Sequence, residues 1–390
     1  MTLRAVLVFG ALAVAWGAGC TWTTALPADA GAIAVNRSRE LLVTDDATLT
    51  SLSSNAAGAP LSFRHAMETL PVRDVAATST LAWLRAWSQR LRDEGENARA
   101  DSLDAKVTCA WLQRTPANGC SPSCDVCTQQ ALDLESAPFR LVAVANRTDL
   151  SVMPDRAADG GEGRLVFGLT DGPGDAAASS PLPFTVIVEY AQVGTAADWA
   201  SRWHALGAVT DDAFPGALVK VTGTFVESGS LAQLRTADAV TGPLLLHEFH
   251  LVAGELVPAN VRNTPDWGAV SESDMTTFCA SNADALQSGT QVLPSSWLAA
   301  SSALHVAPPA YVATIENHDA LVQGTCGGCH DETDHGFQID PVASGDAKLP
   351  ARPEQGPRRA GPPHRVDAGD AFAIDVVSAP PLSRERPEIP

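Results

Sequence analysis

Phe184-Thr185-Val186-Ile187-Val188-Glu189-Tyr190 alternates with a period of two. Phe184, Val186, Val188 and Tyr190 fall on one face, and Thr185, Ile187 and Glu189 on the other, as in a strand whose two faces meet different surroundings. Phe139-Arg140-Leu141-Val142-Ala143-Val144 and Arg164-Leu165-Val166-Phe167-Gly168-Leu169 also read as strands. Asp159-Gly160-Gly161 and Asp171-Gly172-Pro173-Gly174 read as turns. Connections this short favour antiparallel pairing, because a parallel crossover needs about a dozen residues or more.

Beyond this centre the period changes. Thr195 to Leu206 reads as a helix capped by Thr195 and carrying Trp199 and Trp203. Phe214, Leu218, Val221 and Phe225 recur at helical spacing, and strand signals return at Leu231–Arg235 and Leu244–Val252. Residues 136–270 are therefore expected to form an antiparallel, β-rich core with a helical insertion, in an α+β fold. Residues 61–135 read as a helical part with a Cys-rich loop. Phe63, Met67 and Leu70 share one face, and Pro71 stops that helix. Leu81, Leu84, Trp87 and Leu91 form the next stripe, with Trp83 beside it and Thr78 or Ser79 as the cap. Such an aromatic stripe is ordinarily core. Residues 20–60 read as a tether with one strand near Leu41–Val43. Residues 271–341 read as a helical region starting at a Ser271 cap, with a further helix at Ala310–Val322. Residues 342–390, rich in Pro, Gly, Arg and Asp, read as a mostly disordered tail with a short ordered piece at Phe372–Val377.

The first nineteen residues have the layout of an export signal: Arg4, then an apolar run from Ala5 to Trp16, then Gly17-Ala18-Gly19 before Cys20. Small residues before a cysteine resemble the bacterial lipobox, with Cys20 as the lipidated residue; Gly17 stands where that motif usually has Leu. The other reading is ordinary cleavage with Cys20 left as a thiol. A lipid on Cys20 implies a cell-envelope protein, anchored by the absence of Asp at Thr21 to the outer membrane, facing periplasm or exterior. The net charge of −19 (26 Lys and Arg against 45 Asp and Glu) argues against nucleic acid and against a polybasic membrane surface.

Near the C-terminus lies Gly324-Thr325-Cys326-Gly327-Gly328-Cys329-His330, a Cys-x-x-Cys-His run. This is the attachment pattern of c-type haem. Two thiols three residues apart each reach a haem vinyl group, and His330 then lies under the iron as an axial ligand. The competing reading is that Cys326 and Cys329 form disulfides. A thiol oxidoreductase would use the same two cysteines, but it wants them opening a helix in a βαβ unit, and the expected context is different. No Met follows His330, so the sixth iron position falls to His318, His364, Met275 or an open site; His335 lies too close in sequence. Trp297, Tyr311 and Phe337 are candidate pocket walls.

The chain has eight cysteines. Cys109, Cys120, Cys124 and Cys127 suit either two disulfides, favoured outside the cytoplasm, or zinc. If Cys20 carries lipid and Cys326 and Cys329 carry haem, five cysteines remain, which leaves one odd thiol and counts against holding both readings together. His247-Glu248-Phe249-His250 lacks the helical zinc-protease spacing. On a strand its two histidines point to opposite faces and read as packed or surface histidines. Asp155, Asp159 and Glu162 read as an acidic surface loop. No nucleophile elbow, phosphate loop or dinucleotide fingerprint occurs, and no residue set reads as a catalytic centre.

Several segments carry a resemblance: Phe63-Arg64-His65-Ala66-Met67-Glu68, Pro138-Phe139-Arg140-Leu141-Val142, Asn146-Arg147-Thr148-Asp149-Leu150, Gly161-Glu162-Gly163-Arg164-Leu165-Val166-Phe167, Trp203-His204-Ala205-Leu206-Gly207, Glu248-Phe249-His250-Leu251 and Cys326-Gly327-Gly328-Cys329-His330. In this order, over about Leu61 to Pro341, the set resembles a group of secreted or lipid-anchored proteins of myxobacteria and their relatives. These carry a C-terminal Cys-x-x-Cys-His and are described as cytochrome-c-like. The resemblance implies export and haem; the cysteines at Cys120 to Cys127 depart from it. Two functions are thus expected from different classes. One is a lipoprotein with covalent haem c, acting with a redox or envelope partner in electron transfer or redox sensing. The other is a non-haem binding or structural lipoprotein with Cys326 and Cys329 in disulfides.

Overall fold

The computed structural model describes residues 35–304, apart from 125, 153–158, 241–244, 263, 288–292 and 299. The strands are β1 Leu42–Val43, β2 Phe139–Arg147, β3 Asp159–Thr170, β4 Pro181–Val193, β5 Leu231–Asp238, β6 Leu245–Val252, β7 Glu255–Ala259 and β8 Ala303–Leu304. They form one antiparallel sheet, with β1 to β7 in sequence order and β8 paired to β6. The helices are α1 Arg37–Glu40, α2 Asp46–Leu52, α3 Phe63–Thr69, α4 Ala76–Asp93, α5 Asn97–Leu103, α6 Ala110–Arg114, α7 Ala196–Gly207, α8 Phe214–Val226, α9 Glu272–Ser281 and α10 Ala283–Gln287. The fold is α+β, with α7 and α8 inserted between β4 and β5. No helix among the described residues is long and apolar enough to cross a membrane.

Register makes the first face of the sheet a continuous apolar layer. Leu141, Phe167, Val186 and Thr236 are successive cross-strand neighbours, as are Val144, Leu165, Val188, Leu234 and Phe249. Helices α3 and α4 lay their aromatic residues on this layer. Phe63 stacks on Phe139 with ring centroids 3.7 Å apart and meets Phe167 edge-on at 5.6 Å. Trp83 packs edge-on to Phe249, and Trp87 edge-on to Phe184. Trp111 of α6 closes on Phe139 from the side. These side chains are fully buried. Each contributes roughly 1.5–3 kcal/mol by leaving water, and offset or edge-on ring pairs add about 0.5–1.5 kcal/mol. The insertion covers another part of the same face: Phe225 of α8 packs on Tyr190, and Trp199 and Trp203 of α7 pack on Phe225. Gly163 admits this approach, because a Cβ there would lie 2.4 Å from the Phe225 ring.

The structure departs from the sequence reading in four places. From Val35 onward the expected tether is part of the body: β1 pairs with β2, and Val43 and Leu49 are buried in the main core. Asp159-Gly160-Gly161, read as a turn, belongs to β3, where the register shifts between Asp159 and Glu162. Gly161 takes φ +93° there, and a Cβ would meet the Arg147 carbonyl at 2.4 Å, so the glycine serves a bulge within the strand. Helix α4 starts at Ala76 with Val75 as its cap residue, so neither Thr78 nor Ser79 caps it. Finally, β6 turns directly into β7 through Ala253 and Gly254, both at positive φ, as a two-residue hairpin. Ala at the first position hid this turn, because that conformation is unusual for a residue with a Cβ.

The other expected caps hold: Thr195 and Ser271 side chains accept from the Asp198 and Asp274 amides. The expected helix at Ala310–Val322, the Cys-x-x-Cys-His element and the tail lie outside the described residues.

Removing the Phe63 ring should leave a cavity between Phe139 and Phe167. Phe63→Ala is expected to lower stability by about 3–5 kcal/mol in denaturant melts. A loss under about 1 kcal/mol would show that the stacked layer is not closely packed.

Candidate functional site

The second face of the sheet is charged, and register again decides it. Arg164 on β3 lies across from Glu189 on β4, Glu189 across from Gln233 on β5, and Arg235 on β5 across from Glu248 on β6. Their side chains join into one row. Arg164 donates to Glu162 Oε2 at 2.7 Å and pairs with Glu189 Oε1 at 3.2 Å. Gln233 donates to the other Glu189 oxygen. Arg235 reaches Glu189 Oε1 at 3.4 Å and Glu248 Oε2 at 3.0 Å. His250 closes the row on Glu248 Oε1 at 2.6 Å. The chain after β7 passes over this face: Val261 packs with Ala237 and Leu246, and the Arg262 amide donates to Glu248 Oε2 at 3.1 Å.

The carboxylates of Glu162, Glu189 and Glu248 are fully buried, and the Arg164 and Arg235 side chains are only 14% and 9% exposed. Burial alone would push the Glu248 carboxyl up. Hydrogen bonding to His250 and the Arg235 charge outweigh it and hold the group below its ordinary value. His250 moves up, because Glu248 stabilises the imidazolium against partial burial. Its side chain is 39% exposed, so the row has one end in contact with solvent. Chemically the row answers buried anions with cations. It is suited to fixing strand register, since a shift of one residue would bury these charges against the wrong partners.

A second polar group lies at the end of the aromatic face. Arg99 bridges Glu96 and the buried Asp238, and His247 bonds Glu94 at 2.9 Å while Glu94 pairs with Arg90. Burial raises the Asp238 carboxyl, with Arg99 opposing the shift. This group ties α4 and α5 to β5 and β6. The two histidines of His247-Glu248-Phe249-His250 therefore bond different carboxylates on opposite faces, as alternation requires.

The cysteine loop closes on itself. Cys109 pairs with Cys124 and Cys120 with Cys127. Cys279 is unpaired and buried beside Met275, Leu286 and Trp297 in a small separate core. Burial pushes its thiol up. Met275, a candidate iron ligand, is fully buried in that core, and Trp297, a candidate pocket wall, meets Phe278 edge-on at 5.0 Å. Cys20, Cys326, Cys329, His330, His318, His364, Tyr311 and Phe337 lie outside the described residues.

Sequence reading missed the buried row and took Glu162 for a surface residue, whereas it is a fully buried strand residue. One signal was present: Glu189 and Glu248 interrupt apolar strands on the face opposite the aromatic residues. Arg164, Gln233 and Arg235, which answer them, come from other strands and emerge only with the pairing.

Glu189→Gln leaves Arg164 and Arg235 facing a neutral amide in a buried site and is expected to lower stability by about 3–5 kcal/mol. The pH dependence has two limbs. The Glu248 contribution is present above its unfolded value near 4.5 and fades as pH falls through its lower folded value. The His250 contribution is complete below about 6.5 and is lost as pH rises through its higher folded value. Thermal melts across pH should show both limbs, and His250→Gln should flatten the upper one; an unchanged upper limb would refute the pairing.

No protein-family model matches the chain, no curated protein matches its sequence, and no solved structure matches its fold.

Proposed function

We propose that the chain is a lipid-anchored protein of the bacterial cell envelope that carries c-type haem covalently on Cys326 and Cys329, with His330 as the residue that would bind its iron. In this reading it transfers electrons to, or senses the redox state of, an envelope partner. The lipid sits on Cys20, in the outer membrane.

The cysteine accounting is the observation that carries the reading. The four loop cysteines pair among themselves. The odd thiol that the parity demands is Cys279, buried in apolar packing where a free cysteine is ordinary. Its raised pKa suppresses the thiolate that disulfide exchange needs. Among the described residues, no other cysteine is left to draw Cys326 or Cys329 into a disulfide. With Cys20 lipidated, the pair then serves haem or closes on itself, and the adjacent His330 with the upstream export signal favours haem.

On this count the donor set fits the group. Cys326 and Cys329 would hold it through thioethers, and His330 would bind through a ring nitrogen. When bound, haem supplies a one-electron iron couple whose potential depends on its ligands and burial. Met275 already has a place in the core around Cys279, and a role as sixth ligand would require opening that core.

The test is the mass and visible spectrum of the mature chain made in a periplasm with haem-attachment machinery. Haem covalently added, with a Soret band that Cys326→Ala/Cys329→Ala abolishes, is the expected outcome. A haem-free chain whose mass shows Cys326 joined to Cys329 would overturn the reading in favour of a binding or structural lipoprotein.

A further inference from the structure

The geometry points to a second, redox-gated site: once its two disulfides are reduced, the loop of Cys109, Cys120, Cys124 and Cys127 binds a soft divalent metal ion such as Zn²⁺ through four thiolates. The Sγ atoms of Cys120, Cys124 and Cys127 all lie within 4.8 Å of one another, and the Cys109 sulfur is bonded to that of Cys124. In a tetrahedral zinc–thiolate centre, bonds of about 2.3 Å place neighbouring sulfurs about 3.8 Å apart. Three of the four sulfurs already converge on one place. Cys109 ends the helical segment Asp104–Cys109, and its sulfur, bonded to that of Cys124, is brought in as the fourth ligand when the Cys120–Cys127 loop shifts toward it.

The loop is held in this shape by bonds that contain no sulfur. Asn118 is fully buried, and its amide nitrogen donates to the Leu112 and Ala131 carbonyls at 2.9 and 2.8 Å. Its side-chain oxygen accepts from the Ala131 amide at 3.3 Å, and its backbone carbonyl accepts from Gln129 at 3.1 Å. Gln113 donates to the Ser121 and Pro122 carbonyls, both at 3.1 Å. Within the loop the Ser121 amide donates to Val126 at 2.8 Å and the Cys124 amide to Ser121 at 2.9 Å, which brings Cys120 and Cys127 side by side. Reduction therefore releases four thiols into a frame that still gathers them. Cys120, Cys124 and Cys127 are each partly exposed, so a reductant and a hydrated ion can reach them.

The chemistry balances with a dithiol reductant. Each disulfide takes up two electrons and two protons, and the dithiol becomes a disulfide. The ion then displaces the thiol protons to solvent as four metal–sulfur bonds form. In the oxidised state the sulfur lone pairs belong to disulfides and the site is closed to the ion.

The test uses the mature chain with Cys326→Ala/Cys329→Ala, so that the second cysteine pair contributes nothing. It is reduced anaerobically with a phosphine, which does not compete for zinc as dithiols do, and loaded with Zn²⁺. Native mass spectrometry should show one zinc per reduced chain and none on the oxidised chain. X-ray absorption should show four sulfur neighbours at about 2.3 Å. Adding Cys120→Ser/Cys127→Ser should abolish retention while far-ultraviolet circular dichroism stays unchanged. A reduced chain that retains no zinc, or a zinc with fewer than four sulfur neighbours, would overturn the proposal. The sulfur count decides the matter even if the serine variant fails to fold.

Discussion

The contact of Trp83 and Trp87 with the phenylalanines of the sheet sets the position of the other elements. Once α4 lies across Phe139, Phe184 and Phe249, its C-terminal end is directed at β6, where Glu94 meets His247. The next helix then carries Arg99 to Asp238. A buried ion pair and a buried histidine–carboxylate hydrogen bond thus depend on an apolar docking event. Aromatic burial supplies the driving force, because it is large and non-directional. These polar contacts return little net stability after desolvation, but they penalise any other seating of the helix, since each would leave a buried polar group without its partner.

The sheet applies the same division of labour across its thickness. One face gains stability from close apolar packing. The other buries Glu162, Glu189 and Glu248 against Arg164 and Arg235. A meander of neighbouring antiparallel strands has many possible registers, and apolar packing distinguishes poorly between those two residues apart. A row of alternating charges resists such a slip strongly, because the mismatch occurs where water cannot screen it. The small core around Met275 and Cys279 is built from apolar side chains alone and forms a separate cluster.

The cysteines connect structure to function. A chain with eight of them could distribute its bonds widely. Here four pair among themselves, Cys109 at a helix end with three in the loop fixed also by Asn118, and the fifth is sealed in apolar packing. Among the described residues no cysteine other than the buried Cys279 is left free to pair with the Cys-x-x-Cys-His run. The proposed haem reading rests on that accounting of the described cysteines.

The sequence by itself determined whatever rests on local periodicity. The alternation from Phe184 to Tyr190, the Trp83 and Trp87 stripe, the Thr195 and Ser271 caps and the opposed directions of His247 and His250 were all legible, because each depends on neighbours a few residues away. The Phe214–Val226 helix was legible too, despite its β-branched residues. Tertiary structure alone decided that the expected tether joins the body from Val35 onward, that Asp159–Gly161 bulge within a strand rather than turn, and that Glu162 is buried. It also decided which cysteines pair and that the second face of the sheet is a charged row. The physical reason is common to these cases. Partners such as Arg164 and Glu189, or Cys109 and Cys124, are distant along the chain, and only the register of the strands and the closure of the loop bring them together.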